Sequence, residues 1–265
     1  MLPPWGVPSS RHVRVPFSNT PAVSHFWISR TTRRTIAETF DRLDYRRLER
    51  VYCYEGGDEF WKSKRDPCRR LGLRVAEALL TRLPVGGCSL YVGAGVAELP
   101  ALLVEALELH RAVRPCNLRR SEVATLNRTC RGLPVRFHMT DAGRVSGTFD
   151  HVWIVSVLND PERFPHLSTL SYGRAVPLTF NPGKFVKERK ILQRLVNRCM
   201  AKLRLPGVVT TSVEEANWIA DWCHRKNIRY RVERRQFPTA LVGDPICVLR
   251  IGVKSRARRS RQSQG

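Results

Sequence analysis

Several features are missing from this sequence, and each absence excludes a class of protein. No apolar run approaches the roughly 20 residues that a helix needs to cross a bilayer, so we expect no membrane-spanning segment. The eight cysteines stand at least fourteen residues apart, and there is no Cys-x-x-Cys pair. A zinc site or a redox pair therefore has no support, and we predict no bound metal. Reduced, mostly buried thiols in a cytoplasmic protein are the expected state.

Acidic residues are also scarce. Aspartate and glutamate number 23 against 46 lysines and arginines, which gives a net charge of +23. Residues 1–37 and 253–265 each carry five basic residues and no acid, so removing these ten charges still leaves 23 − 10 = +13 on residues 38–252. The excess favours phosphate-rich or acidic partners. An arginine-rich but otherwise ordinary solvated surface is the alternative interpretation.

Length and patterning divide the chain into four predicted segments. With 265 residues and 42 % hydrophobic composition, the chain is long enough to bury a core. We predict an irregular basic leader (1–30), an N-terminal helical cap (31–84), an α/β domain (85–252) and a disordered basic tail (253–265). Prolines in the leader disfavour the amphipathic helix that an organelle transit peptide forms. An irregular leader, or an over-long reading frame, explains residues 1–30 better. The role of residues 1–30 and the oligomeric state are not determined by these patterns.

Strand and helix patterns alternate through the third segment. Apolar runs predict strands at 88–92, 111–118, 134–142, 149–160, 175–180 and 207–212, with helices between most of them, including one over 183–203. Two further strands at 229–237 and 245–252 end the series. This order predicts a three-layer, Rossmann-like α/β fold, in which a mostly parallel sheet closes with an antiparallel hairpin.

The turn after the first strand is the expected position of a ligand. Ligands of open α/β sheets bind at the carboxyl ends of the strands, and Gly93 and Gly95 allow the backbone to approach a bound molecule. A helix starting near Glu98 would direct free N–H groups at that molecule. A nicotinamide dinucleotide is disfavoured, because Glu98 stands where its third glycine is needed and Asn117 stands where its ribose-binding acid is needed. A tight turn without a ligand is the alternative.

Three segments together resemble the class I S-adenosylmethionine-dependent methyltransferases. "SLYVGAGVAELP" resembles the glycine-rich first motif of that family, "VRFHMTDA" its third strand and "FDHVWIVSVLND" its fourth. The closing pair "RYRVERRQF" and "ICVLRIG" is similar to the family's reversed last strand, so the resemblance covers about 85–252.

The resemblance implies S-adenosylmethionine as cofactor and assigns roles to particular residues. Gly93, Ala94 and Gly95 would line its methionine part, Asp141 and Ala142 would meet its adenine, and Ser156 to Asp160 would face the transferred methyl. The chain departs from the family at Asn117, where an acid usually holds the ribose, and at Tyr91, where an acid often precedes the glycines. A carboxamide oxygen can still accept a hydrogen bond from a hydroxyl.

Asn159 and Asp160 are the candidate catalytic residues. Methyl transfer is an in-line displacement that depends mainly on alignment, and these side chains could orient or deprotonate an amine or hydroxyl acceptor. The alternative is a helix cap or turn formed by Asn159-Asp160-Pro161. The "NDPE" sequence lacks the second proline and the aromatic residue of family members that methylate base amino groups.

A cationic stripe is predicted on the helix over 183–203. At 100° per residue, Lys187, Lys190, Arg194 and Arg198 gather on the side opposite the apolar residues, where they could follow an RNA backbone. RNA or a small molecule is therefore the expected methyl acceptor. The alternative function is a non-catalytic methyltransferase-like module that binds RNA or an acidic partner through this surface. Tyr52, Tyr54, Phe60 and Trp61 are candidates for covering the substrate pocket, or for core packing.

Overall fold

The described residues form eight α-helices, seven strands and a short 3-10 helix. A computed structural model describes residues 27–51, 57–172, 181–239, 241 and 243–253. The helices are α1 (Arg30–Asp41), α2 (Tyr45–Glu49), α3 (Gly57–Leu80), α4 (Leu99–Leu107), α5 (Arg120–Thr129), α6 (Pro165–Tyr172), α7 (Pro182–Met200) and α8 (Val213–Arg225). The strands are β1 (Cys88–Val92), β2 (Ala112–Asn117), β3 (His138–Met139), β4 (Phe149–Ile154), β5 (Leu203–Ser212), β6 (Tyr230–Val232) and β7 (Ile246–Ile251).

The seven strands form one sheet in the order β3-β2-β1-β4-β5-β7-β6. Strands β1 to β5 are parallel to one another, while β7 runs antiparallel to both β5 and β6. Val92 at the end of β1 is level with Cys116 of β2 and Ile154 of β4. The segments that follow these three strands therefore meet at one edge of the sheet. The predicted fold class, including the closing antiparallel pair, is confirmed.

Each face of the sheet is covered by its own apolar core. On one face α1 to α5 contribute buried residues such as Ile36, Leu79 and Leu102. On the other face α6, α7 and α8 contribute Leu167, Leu195 and Ile219. The periodic apolar positions of these helices predict this burial, because residues three and four apart share one face of a helix. The four segment boundaries drawn from the sequence stay predictions.

The observed elements differ from the predicted ones at several places. Strand β4 ends at Ile154 and β6 covers only Tyr230–Val232, so both are shorter than the predicted 149–160 and 229–237. The strand predicted over 134–142 shortens to β3, because the Asn127 side chain bonds both the N–H and the carbonyl of Phe137, at 2.7 and 2.9 Å. Helix α6 forms in a segment predicted as a connection, and β5 begins at Leu203 rather than 207. The predicted strand at 175–180, Tyr52, Tyr54, most of the leader and nearly all of the tail lie outside the described residues.

None of the described helices is both long and apolar enough to cross a membrane. No group of three His, Cys, Asp or Glu side chains in the described segments is arranged to hold a metal ion. The seven cysteines in those segments are free thiols, and six of them are buried.

Candidate active-site cleft

A cleft of about 1130 Å³ opens at the carboxyl ends of β1, β2 and β4. Strand order reverses there, since β1 lies between β2 and β4, and this is the position at which open α/β sheets bind ligands. Helix α3 contributes apolar wall residues, including Trp61, Leu71 and Val75, and the segment before β7 contributes Thr239, Leu241 and Asp244. The charged residues of the wall are five acids and three bases: Glu98, Glu122, Asp160, Glu162, Asp244, Lys64, Arg119 and Arg163. The cleft is thus richer in acids than the chain as a whole.

Gly93 makes the sharp turn that opens the cleft. Its φ of +70° lies in the left-handed region that favours glycine, and a Cβ added there would lie 2.6 Å from Cγ2 of Val157. Gly93 and Gly95 both line the cleft, whereas Ala94 is fully buried beside it. The glycines therefore bring the loops after β1 and β4 close together.

Glu98 places a buried carboxylate on the wall of the cleft. Its side chain is 8 % exposed and accepts a hydrogen bond from the Gly95 N–H at 2.8 Å. Burial raises the pKa of Glu98 to about 7, although the bonds from Gly95 and from its own backbone N–H favour the ionised form. No described lysine, arginine or histidine forms an ion pair with it. The carboxylate thus bonds the turn before α4, while the first turn of α4 has no side-chain cap. A negatively charged group on this wall suits a cation better than an anion.

Asn117 holds the turns after β1 and β2 together. Its amide nitrogen donates to the Ala94 carbonyl at 2.8 Å and to Oε2 of Glu122 at 3.0 Å, and its oxygen accepts from the Arg119 N–H at 2.8 Å. Glu122, in the first turn of α5, also lines the cleft and is 1 % exposed. A carboxylate is therefore present beside Asn117, the position at which the sequence resemblance leads one to expect an acid.

Glu215 fixes the loop that follows β4. Its carboxylate accepts hydrogen bonds from the N–H groups of Ser156 at 3.0 Å, Val157 at 2.7 Å and Leu158 at 2.6 Å. Ser156 has a φ of +56°, which a non-glycine residue adopts only when its surroundings enforce it. Glu215 is fully buried at the start of α8, where it also completes a capping box with Ser212. Ser156 and Val157 thereby stay on the cleft wall.

Asn159 and Asp160 follow this loop and line the cleft. The amide nitrogen of Asn159 donates to Oε2 of Glu214 at 2.9 Å and to Oδ2 of Asp244 at 3.0 Å. Oδ1 of Asp160 accepts from the Glu162 N–H at 2.9 Å, so this side chain also stabilises a turn, as the alternative interpretation expects. Both residues are nevertheless part of the cleft wall.

Tyr91, which stands where the sequence resemblance leads one to expect an acid, belongs to a buried polar cluster behind β1. Its hydroxyl donates to Oε1 of Glu105 at 2.6 Å, and its ring stacks on Trp153 at 5.2 Å. Burial alone would raise the pKa of Glu105, but His151 and Arg111 lower it to about 2. Arg111 lies 3.1 Å from Oε2 of Glu105. Tyr91 thus supports the wall of the cleft through Trp153, which lines it.

The remaining predicted residues lie elsewhere. Asp141 and Ala142 are not among the residues that line the cleft, and the Asp141 side chain caps a short 3-10 helix over Ala142–Arg144. Lys187, Lys190, Arg194 and Arg198 are exposed on α7, outside the cleft wall. Arg198 lies 3.8 Å from Oδ2 of Asp141.

Sequence reasoning missed Glu98, Glu122, Glu215 and Asp244 as site residues. One signal was available, because Glu122 is the only acid among seven arginines in residues 111–136. An acid retained in such a basic segment indicates a specific role. Glu215 and Asp244 carry no comparable signal, since their partners come from distant segments of the chain.

No protein family model matches the sequence, and no curated protein matches it. Among solved structures, the chain is similar to magnesium protoporphyrin IX methyltransferase from Synechocystis PCC 6803, solved with S-adenosylmethionine bound. The identity is 12 %, the match covers 78 % of this chain and 97 % of that one, and the TM-score is 0.48. It is also similar to a ribosomal protein L11 methylase from Lactobacillus delbrueckii, with 15 % identity, 71 % and 79 % coverage and a TM-score of 0.41.

A tRNA m1G37 methyltransferase from M. jannaschii matches with 10 % identity and a TM-score of 0.42, over 70 % of this chain and 50 % of that one. All three TM-scores are below 0.5. The fold is established by the structure of the chain itself, a three-layer α/β fold whose mostly parallel sheet has an antiparallel β7.

Proposed function

We propose that the cleft binds S-adenosylmethionine and that the protein transfers its methyl group to an acceptor. The carboxylate of Glu98 carries this proposal. It is buried beside the glycine turn and has no cationic partner in the described segments, within a chain whose net charge is +23. A buried carboxylate is costly unless it is paired, so its retention indicates a cationic ligand.

The chemistry of the cofactor fits this wall. S-adenosylmethionine carries a sulfonium and an ammonium group against a single carboxylate, so it is a net cation. The phosphates of a dinucleotide would be repelled by Glu98 and Glu122. The volume of about 1130 Å³ slightly exceeds that of most small-molecule sites, which reach about 1,000 Å³. The cleft would therefore have room for an acceptor beside the cofactor.

The residues of the chain would divide the work as follows. Gly93 and Gly95 would accept the methionine part next to Glu98, and Glu122 would accept hydrogen bonds from the ribose hydroxyls with Asn117 supporting it. Asp141 and Ala142 remain candidates for the adenine end. Ser156 would lie beside the reacting atoms.

When bound, the cofactor supplies an electrophilic methyl on a good leaving group. The protein then needs to align the acceptor and exclude water, and a general base is optional. The apolar side chains of Leu71 and Val75 on α3, together with Trp153, would limit water at this wall. Asn159 and Asp160 would orient the acceptor.

Isothermal calorimetry with S-adenosylmethionine tests the proposal. We expect micromolar binding to the wild type and binding at least about tenfold weaker in Glu98→Gln, which keeps the shape of the side chain and removes its charge. Glu77→Gln is the matched control, because Glu77 is an exposed carboxylate that pairs with Arg33 outside the cleft. Equal affinity in the wild type and Glu98→Gln would remove the main support for the proposal.

One observation favours the alternative of RNA binding without methyl transfer. Lys187, Lys190 and Arg194 are exposed on one side of α7, and none of them forms an ion pair in the described chain. Undetectable cofactor binding together with RNA retention that weakens steeply with salt would favour this function.

A further inference from the structure

A second pocket, of about 400 Å³, lies between α1 and α3, next to the cleft. Leu71 of α3 lines both cavities, so this helix separates them. Among the described residues, the charged members of the second pocket are three arginines, Arg33, Arg70 and Arg74, and one acid, Glu77. The charge of this arginine pocket is thus opposite in sign to that of the acidic cleft wall.

The single acid leaves two of these arginines without a negative partner. Glu77 forms an ion pair with Arg33. Arg74 donates to the Pro238 carbonyl at 2.9 Å, and this carbonyl is a neutral group. Arg70 is exposed and forms no hydrogen bond or ion pair with a described residue. Two guanidinium groups of the arginine pocket are therefore not neutralised by a carboxylate in the described chain.

Other arginines of α3 do have carboxylate partners. Arg65 pairs with an aspartate of α1, and Arg69 lies 3.3 Å from Oδ1 of Asp66. Arg70 and Arg74 are instead four residues apart on one face of the helix, where like charges repel and destabilise it. An anion bound between these two side chains would remove the repulsion, so the arrangement favours an anionic ligand.

Unpaired positive charge continues along the segment that leads to the cleft. The bond from Arg74 to Pro238 places the arginine pocket beside this segment, and the next residue, Thr239, lines the cleft. Arg234 and Arg235 come shortly before it in the chain, are exposed, and form no ion pair with a described residue. Several unpaired cations in succession suit a chain of phosphates better than one small anion.

We propose that the arginine pocket binds backbone phosphates of a nucleic acid strand, which runs from there toward the cleft. The planar guanidinium group presents paired N–H donors that match the oxygens of a phosphate. A concave surface lined by one sign of charge also strengthens the local field. The proposal does not depend on methyl transfer, because phosphate binding needs no cofactor.

Fluorescence anisotropy with a short labelled single-stranded RNA, measured on the full chain at several salt concentrations, tests the proposal. We expect the double variant Arg70→Gln/Arg74→Gln to bind at least about tenfold more weakly. The slope of log affinity against log salt should fall by about 1.4, since each phosphate contact on a single strand contributes about 0.7. Arg70→Gln alone removes no bond to a described residue, so it should keep the unfolding midpoint in urea and lower the slope by about 0.7.

The matched control is Lys187→Gln/Lys190→Gln, which removes the same charge from the exposed side of α7, on the opposite face of the sheet. This variant should weaken RNA binding by less than about threefold. Equal losses in the two double variants would overturn the proposal, because they would show a general effect of net charge. An unchanged slope in Arg70→Gln would overturn it as well.

Two other polyanions identify the chemistry that the arginine pocket recognises. Single-stranded DNA of the same sequence should depend on Arg70 and Arg74 as RNA does. A dependence limited to RNA would overturn the assignment to backbone phosphates, because the two backbones differ in the 2′-hydroxyl. Polyglutamate at equal charge should displace the RNA less effectively than DNA does, and equal displacement would assign the pocket to an acidic protein instead.

The proposed function fails or stands separately. Undetectable RNA binding together with intact binding of S-adenosylmethionine would overturn the role of the arginine pocket and leave the cofactor site in place. RNA binding that depends on Arg70 and Arg74, without binding of S-adenosylmethionine, would support the arginine pocket and overturn the proposed function.

Discussion

Replacing Glu98 with glutamine should stabilise the fold at neutral and alkaline pH while it weakens cofactor binding. Burial raises the pKa of Glu98 from 4.5 to about 7, so the ionised side chain disfavours the folded state. That difference corresponds to about 3 kcal/mol, at 1.36 kcal/mol for each pKa unit. Glutamine keeps an oxygen for the Gly95 N–H and removes the charge. The order of magnitude of the expected gain is therefore about 3 kcal/mol above pH 7.

The direction in which stability changes with pH follows from the number of protons that the folded and unfolded states bind. Between pH 4.5 and 7 the folded protein holds a proton on Glu98 that the unfolded chain has lost, so the free energy of unfolding falls as pH rises through this window. Below pH 4.5 both states are protonated, and the two proteins should be equally stable. The difference between them should grow from pH 4.5 and level off above pH 7.

Urea unfolding of both proteins at half-unit steps from pH 4 to 9 measures this difference directly. Ligand binding provides a second readout, because a cation beside Glu98 lowers its pKa and releases a proton. Calorimetry in buffers of different ionisation enthalpy should detect that proton in the wild type and not in Glu98→Gln. A stability difference that does not vary with pH would refute the reasoning, since it would show that Glu98 is neutral or compensated across the whole range.

Three further substitutions or conditions have expected outcomes. Glu215→Ala should lower the free energy of unfolding by more than about 3 kcal/mol in urea titrations, because three loop N–H groups lose a buried acceptor; Glu215→Gln should cost less. Stability should fall as pH drops from 4.5 toward 2, where Glu105 loses the charge that its neighbours favour, by about 3 kcal/mol in wild-type protein and not in Glu105→Gln. Gly93→Ala should cost about 1–3 kcal/mol and weaken cofactor binding in calorimetry, because the left-handed turn would carry a Cβ 2.6 Å from Val157.

The sequence predicts the fold well where local patterns decide the structure. The short apolar run of β1, followed by Gly93, predicts a buried strand that ends in a turn. The antiparallel pair at the end of the chain is predicted by two apolar runs and the loop between them. Such patterns depend on residues close in sequence. Strand β3 is predicted too long because the Asn127 side chain takes up the backbone groups of Phe137, and this competition depends on a neighbour ten residues away.

The position of the cleft is also predictable, whereas its chemistry is only partly so. Gly93, Gly95, Asn117, Ser156 and Asp160 lie at the carboxyl edge because topology brings the ends of parallel strands together. The acidic residues of the cleft are not predictable in this way. The resemblance leads one to expect acids before the glycines and after the second strand, and this chain has no acid at either position.

Glu98 and Glu122 instead provide carboxylates from the next helical segments. Under the proposed function, each takes the place of an acid expected five to seven residues earlier: Glu98 follows Tyr91, and Glu122 follows Asn117. A side chain from a helix start can reach the same wall as one from a strand end, because the strand and the helix meet at the turn. A sequence motif fixes the positions of residues along the chain, so it does not show that a side chain at the helix start can reach the same wall as one at the strand end. The folded structure shows it.

The distribution of charge reconciles a basic protein with a cationic ligand. Exposed charges farther away than about 8–10 Å are screened at physiological salt, so most of the net charge of +23 has little effect inside the cleft. Glu98 acts over a short distance through a low-dielectric wall, where an ion pair is much stronger than in water. The exposed cations of α7 instead act outward, toward polyanions. One chain can therefore keep two separate electrostatic surfaces, an acidic cleft for the proposed cofactor and a basic exterior for an acidic or phosphate-bearing partner.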